Sequence, residues 1–206
     1  MVRQKDPLVR ALLVNRAAHL LGARSPVTLR SLVAGTGVST MAVYTHFGGI
    51  DGLWSAVRQE GFTRLAAALD ALPTTRDPVH DLAALGVAYL TTAEANPDLY
   101  RTMFDTHAPL DDPAAADATL ARLTTAAARA TSAARFHPDT DPAALATRTW
   151  IIGHGLASLT TTGPLPRTAL THAVPLLTAL FTSAGDTPTR ATRSVRRAYR
   201  DLLSDR

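Results

Sequence analysis

Cysteine is absent from the 206-residue chain. That excludes disulfides and thiolate metal sites and fits a reducing, cytoplasmic setting. Aromatic residues make up only 5% of the sequence against 46% for all hydrophobic residues, so packing must be chiefly aliphatic. No stretch of about 18 uninterrupted apolar residues occurs, and no transmembrane helix is expected. The N-terminus lacks a long apolar run leading to a cleavage site, so no signal peptide is expected. The seven histidines never take an HxxxH or HExxH spacing, which leaves a zinc helix unsupported. There is no Gly-x-Ser-x-Gly elbow. Sustained alternation of apolar and polar residues is also missing, so no strand is expected, and no glycine-rich loop following one. Neighbouring acids such as Asp111-Asp112 read as caps and solvated charges. These absences argue against an enzyme, a metal or a cofactor.

What is present is a helical pattern with recurrent starts. Asp6-Pro7, Asp77-Pro78, Asn96-Pro97, Asp112-Pro113 and Asp141-Pro142 each join a capping residue to a proline, and Thr187-Pro188 repeats the device. Proline suits the first helical position, where its missing N–H would have had no partner. Helices are expected from Pro7 to about Leu21, Asp51 to Leu72, Pro78 to Ala95, Pro97 to His107, Pro113 to Arg135, Pro142 to Thr162, Thr168 to Ser183 with a kink at Pro175, and Pro188 to Leu203. Leu8, Leu12, Leu13, Ala17 and Leu20 are expected to line the inner face of the first. Leu145, Ile152, Leu156 and Leu159 share one side of another. The fold expected is all-α.

Charge is unevenly spread. Residues 1–60 hold seven Lys/Arg against three Asp/Glu, residues 61–186 eight against twelve, and residues 187–206 six against two. A basic front suits contact with a polyanion, and Arg3 and Lys5 either reach phosphates or form a basic tail.

The stretch Thr28 to Trp54 organises the rest. Thr28 caps a short helix whose apolar residues are Leu29, Leu32 and Val33. Gly37 supplies the backbone freedom of a sharp turn, and Ser39 caps a second helix that turns Val43 and Phe47 inward. Thr40, Met41, Ala42, Tyr44, Thr45 and His46 are left for other faces. Two short helices joined by a glycine turn form a helix-turn-helix, whose second helix enters the DNA major groove. Thr40, Tyr44 and Thr45 are suited to phosphates, and Met41 and Ala42 to thymine methyls. Arg30 is the candidate guanine reader, or else a solvated charge.

The run AGTGVSTMAVYTHFGGIDGLW, with its Gly37-Val38-Ser39 turn, Tyr44-x-x-Phe47 pair and Leu53, resembles the DNA-binding domain of the TetR family of transcriptional regulators. Where that family usually carries a phosphate-touching lysine, this chain has Ile50. Further on, Trp150-x-x-x-His154-Gly155 is similar to the Trp-His-Gly (WHG) ligand-binding domain of one branch of the family. The resemblance implies a helix-turn-helix domain over residues 1–50 and a helical ligand-binding and dimerisation domain over residues 51–206. It implies a cytoplasmic homodimer that binds palindromic double-stranded DNA, usually as a repressor, and a small-molecule effector. Thr28, Arg30, Ser39, Thr40, Met41, Ala42, Tyr44, Thr45 and His46 would meet DNA. The segments 142–162 and 168–183 would form the dimer bundle, with Gly153, Gly155 and Ala157 allowing close approach.

Tyr100, Met103, Phe104, His107 and Trp150 form either plain core or the lining of a ligand pocket. His154 is either a pocket residue or a core histidine. Their pairing with the alanine-rich segment 113–135, whose few large side chains imply close packing or unfilled space, favours a pocket for a small, largely apolar molecule. The alternative is a DNA-binding regulator without such a ligand, whose body meets a protein partner. The arginines of the last helix form either a solvated face or an auxiliary anionic contact.

Overall fold

The computed structural model describes residues 6–23, 25–104 and 109–204, with side chains through Arg200. Arg3, Lys5 and His107 lie outside the described residues. Among those described there are ten α-helices, one 3-10 helix and no strand. The helices are α1 (Pro7–Gly22), α2 (Leu29–Val33), α3 (Met41–Phe47), α4 (Ile50–Asp70), α5 (Pro78–Ala95), α6 (Pro97–Met103), α7 (Ala114–Ser132), α8 (Pro142–Thr161), α9 (Ala173–Ser183) and α10 (Pro188–Ser204), with the 3-10 helix at Arg167–His172. They pack as two compact units: Met1–Arg64 with Asn96–Ala115, and Leu65–Ala95 with Ala116–Arg206.

In the first unit, Asp6 caps α1 by accepting from the Leu8 N–H at 2.9 Å. The buried face of α1 carries Leu13, Val14, Ala17 and Leu20, while Leu8 is 80% exposed and Leu12 is exposed as well. This departs from the expected stripe. At 3.6 residues per turn Leu8 and Leu12 fall opposite the buried row, and leucine occupies both faces. Thr28 and Ser31 close a capping box on α2: the Thr28 hydroxyl accepts from the Ser31 N–H at 3.1 Å and the Ser31 hydroxyl accepts from the Thr28 N–H at 2.9 Å. The turn that follows places Gly37 at φ 71°, which glycine adopts without steric cost. The Thr36 hydroxyl ties it together, donating to the Val33 carbonyl at 2.7 Å and accepting from the Val38 N–H at 3.2 Å.

The start of α3 differs from expectation. Its cap position is Thr40, with no side-chain cap bond. The Ser39 and Thr40 carbonyls, rather than a hydroxyl, close the first turn by accepting from Ala42 N–H at 3.0 Å and Val43 N–H at 3.1 Å. Leu13, Leu32, Val43, Leu53 and Val57 are fully buried together, and Phe47, Ile50 and Trp54 pack against them. At Gly52 an added Cβ would stand 1.9 Å from the Phe47 carbonyl oxygen. Glycine there lets α4 begin directly against the end of α3. Leu99 of α6 joins the same cluster, and Asn96, expected as a cap, makes no cap bond.

In the second unit α5 packs on α8 and α10, and α9 on α8 and α10. Three expected caps are in place: Asp77 accepts from His80 N–H at 3.1 Å, Asp141 from Ala143 N–H at 2.9 Å and Thr187 from Arg190 N–H at 3.4 Å. The expected kinked helix over 168–183 is instead a 3-10 helix followed by α9, so Pro175 stands in the first turn of α9, where no N–H is required. Helix α7 stops at Ser132 rather than continuing to Arg135, because Ala134 takes φ 53° and turns the chain. That turn delivers Arg135 into a buried ionic cluster. Its guanidinium donates through Nε to Asp186 Oδ1 at 3.0 Å, again to Asp186 through Nη2, and through Nη1 to Asp77 Oδ1 at 2.8 Å. The Ser194 hydroxyl donates to the other Asp77 oxygen at 2.7 Å. Burial alone would raise the Asp77 pKa, but the Ser194 hydroxyl, the His80 N–H and Arg135 together hold it below the usual carboxylate value. A second knot sits beside it: Asp81 accepts from the Thr75 hydroxyl at 2.6 Å and from Arg129 at 2.8 Å.

Candidate functional site

A short helix with one face pinned to a core presents the rest of its surface outward. In α3, Val43 is fully buried, Ala42 and Phe47 pack on the core, and Met41 and Tyr44 stand 64% and 50% exposed. Thr45 is exposed, Thr40 and His46 half-buried. Thr28, Arg30 and Ser39 are exposed in the same unit. The Thr45 hydroxyl proton is directed to the Met41 carbonyl at 2.9 Å, so it is not free to donate to a phosphate as the sequence suggested. The Thr28 hydroxyl is likewise engaged in the capping box. The buried Nδ1 of His46 has no protein partner. Behind the helix the Arg10 guanidinium lies 5.6 Å from the centre of the Phe47 ring, a cation–π contact that helps hold the aromatic anchor.

A second exposed feature is apolar. Ile151, Leu159, Leu165 and Leu176 of the second unit are all exposed. Ile151 and Leu159 share one face of α8, with Gly155 between them and no heavy atom within 4 Å of a Cβ built there. Leu159 is therefore not part of the inner side expected for it. Gly153 and Ala157 face inward instead and are buried within the unit.

The residues proposed for a ligand fall in different units. Tyr100 and Met103 are buried in the first, with Phe104 edge-on to Tyr100 and Phe62 at ring distances of 5.4 Å and 5.9 Å. Trp150 and His154 belong to the second. There Trp150 lines a cavity of about 10 Å³, the room of about one water molecule, walled by Leu69, Leu85, Tyr89, Thr119 and Leu123 among others. Behind it the Tyr89 hydroxyl and His154 Nδ1 are 2.8 Å apart, and Trp150 and His154 ring centres are 5.6 Å apart. Burial pushes the His154 pKa down, which keeps the ring neutral. Thr119 was not singled out from sequence; the only hint was the sparse side-chain inventory of its helix. A wider groove of about 810 Å³ runs beside α5 and α7. Its arginines are already paired: Arg122 binds both Asp70 oxygens at 2.6 Å, and Arg129 holds Asp81.

Among the described residues no cluster of three His, Cys, Asp or Glu side chains could hold a metal ion, and no helix is long and apolar enough to cross a membrane.

Residues 82–183 match the family described as "Tetracyclin repressor-like, C-terminal domain". No curated protein matches the chain. Solved structures do. CprB from S. coelicolor A3(2), a TetR family protein, aligns over 97% of this chain and 100% of its own with 21% identity and a TM-score of 0.74. A bacterial regulatory protein of the tetR family from Rhodococcus RHA1 aligns over 88% of this chain and 100% of its own with 24% identity and a TM-score of 0.69. RolR in complex with resorcinol aligns over 92% of this chain and 94% of its own with 18% identity and a TM-score of 0.62. At these identities the likeness establishes a shared fold.

Proposed function

The chain belongs with the TetR-type transcriptional regulators by its fold and by its C-terminal domain, and we propose that it is a homodimeric repressor that reads a palindromic operator and is released by a small, largely apolar effector. The observation that carries this reading is α3: a seven-residue helix, fixed from behind by Val43 and Phe47, with Met41 and Tyr44 outward. One such helix touches too few base pairs for selectivity; two on a dimer read half-sites about 34–36 Å apart. Residues 1–50 form the reading head and residues 51–206 the sensing body. Thr28, Arg30, Ser39, Thr40, Met41, Ala42, Tyr44, Thr45 and His46 supply the DNA-facing set. The exposed face of α8 and α9, with Ile151, Leu159 and Leu176, supports pairing with a second copy. RolR, on the same fold, is seen with resorcinol, which supports a small hydroxylated effector. A coupling of about 1–3 kcal/mol between effector and operator suffices for a several-fold to hundred-fold change in affinity.

Selection of bound genomic fragments, followed by titration of the recovered operator, tests the reading. Tyr44→Ala should leave the melting temperature within a degree or two of wild type, since the ring is exposed, yet weaken operator binding about tenfold, the scale of one lost contact of ~1–3 kcal/mol. Recovery of no fragment, or a Tyr44→Ala protein with undiminished operator affinity, defeats it.

A further inference from the structure

Threonines inside helices ordinarily turn their hydroxyl back to the carbonyl one turn earlier. On α7, Thr124, Thr125 and Thr131 do this, bonding the carbonyls of Leu120, Ala121 and Ala127 at 2.9 Å, 2.9 Å and 3.3 Å. Thr119 does not. Its residue is 7% exposed, its Oγ1 is buried, and that oxygen has no protein partner. Thr178 and Thr182 on α9 also lack partners but line neither of the two cavities described above. Thr119 is among the residues that wall the small cavity of the second unit. A buried hydroxyl without a partner costs about 1–3 kcal/mol, so a site that leaves one in place has a polar group to offer.

The remaining walls define what can use it. Leu69, Leu85 and Leu123 are aliphatic, Tyr89 and Trp150 aromatic, and no side chain with a formal charge lines the space. A carboxylate or an ammonium would lose its hydration there and gain one hydroxyl in return, which is a poor exchange. Thr149, the other hydroxyl on the wall, already donates to the Leu145 carbonyl at 2.9 Å. One polar function on the ligand is therefore matched by one open partner on the protein. We infer that the Thr119 hydroxyl is the polar anchor of a binding site for a compact, uncharged, hydrophobic molecule bearing a single hydroxyl. The inference rests on the effector reading and narrows it to a chemical class and an anchoring residue. The ligand enlarges the space by displacing the indole of Trp150, a half-buried part of its wall.

Three probes of similar ring size separate the terms: phenol, benzene and benzoate. They are titrated against the full chain carrying Trp54→Phe, so that Trp150 is its single indole. Phenol should perturb the Trp150 emission and bind at least tenfold tighter than benzene, and benzoate should not bind. In Thr119→Val the advantage of phenol should vanish while benzene affinity holds; in Thr119→Ser, which keeps the hydroxyl, the advantage should remain. The inference is overturned if Thr119→Val keeps the preference for phenol, if benzoate binds as well as phenol, or if none of the three probes binds. Operator affinity measured with saturating phenol is a separate readout: operator binding that does not respond, while phenol binds through Thr119, counts against the effector reading and leaves the binding site standing.

Discussion

The two units hold their helices together by different means. In the first, the helices converge on a cluster of leucines and valines in which Leu13, Leu32, Val43, Leu53 and Val57 are fully buried, and the reading residues are kept outside. In the second, an apolar core is supplemented by charge: Arg135 and Asp186 are both buried and tie the end of α7 to the start of α10, while Asp77 joins the start of α5 to the same cluster. Apolar contact is nondirectional and tolerates small adjustments of a helix. An ionic cluster has one geometry that satisfies it and several that leave a charge stranded. The reading head is thus built for a stable platform, and the sensing body for a defined register of α5, α7 and α10.

Cutting the ionic cluster should produce the largest effect. Arg135→Met strands two carboxylates, one of them the buried Asp186, and should cost the second unit about 3–5 kcal/mol. The check is urea unfolding followed by Trp150 in the Trp54→Phe background. Asp186→Leu made together with Arg135→Met should recover much of the loss, since a well-packed apolar pair is often as stable as the ions it replaces. A double variant no better than the single one would mean that Arg135 serves by its bulk, and the contrast between the units would narrow.

The corresponding cut in the first unit is steric. Gly52→Ala drives a Cβ into the Phe47 carbonyl oxygen, 1.9 Å from it. The obstacle is backbone, so no rotamer relieves it, and α3 must shift against α4. A loss of about 1–3 kcal/mol is expected, together with weakened operator binding. Trp54 lies in the same unit, so its emission in a Trp150→Phe chain reports the change. A wild-type melting point for Gly52→Ala would show that the two helices are less tightly fixed than the platform picture requires.

These two positions also mark what a sequence discloses. The Asp-Pro starts were legible because cap and proline act within a few residues, and α5 begins and ends where expected. The turn at Gly37 and the outward Met41 and Tyr44 were legible for the same local reason. Leu8 and Leu12 were misplaced because a helix rich in leucine on both faces carries no phase signal. The hydroxyl of Ser39 looked like a cap because residue type alone does not reveal which atom closes the turn. The partners in the Arg135–Asp186 pair are 51 residues apart, and nothing in either segment announces the other. Thr119 is a threonine in an alanine-rich helix, distinguished only by what surrounds it after folding.

Acid should separate the units by a smaller margin. Burial lowers the His154 pKa from its ordinary 6.5, so on acidification the unfolded chain takes up that proton before the folded one. Stability from the neutral ring is complete above about pH 6.5 and is lost as pH falls through the lower folded value. Asp77 and Asp81 have folded values below 3.8; their contribution is present above that pH and fades as pH falls through the lowered values. Trp150 emission should therefore report a melting temperature that declines in two stages between pH 7 and pH 2, and His154→Gln should remove the upper stage. An upper stage that persists in His154→Gln assigns the titration to another group.

The smallest expected effect is at Ile50, where the family resemblance calls for a phosphate-touching lysine. The side chain is half-buried and packs on the apolar cluster of the first unit. Ile50→Lys can keep its methylenes on that surface and extend the ammonium outward, so the head should tolerate it. If the position faces DNA, each neutralised phosphate adds about 0.9 to the slope of log affinity against log salt; two heads on a dimer would add nearly twice that. Operator affinity should rise at low salt and converge with wild type as salt increases. An unchanged slope would place Ile50 in the platform alone, and the DNA-facing surface would end at α3.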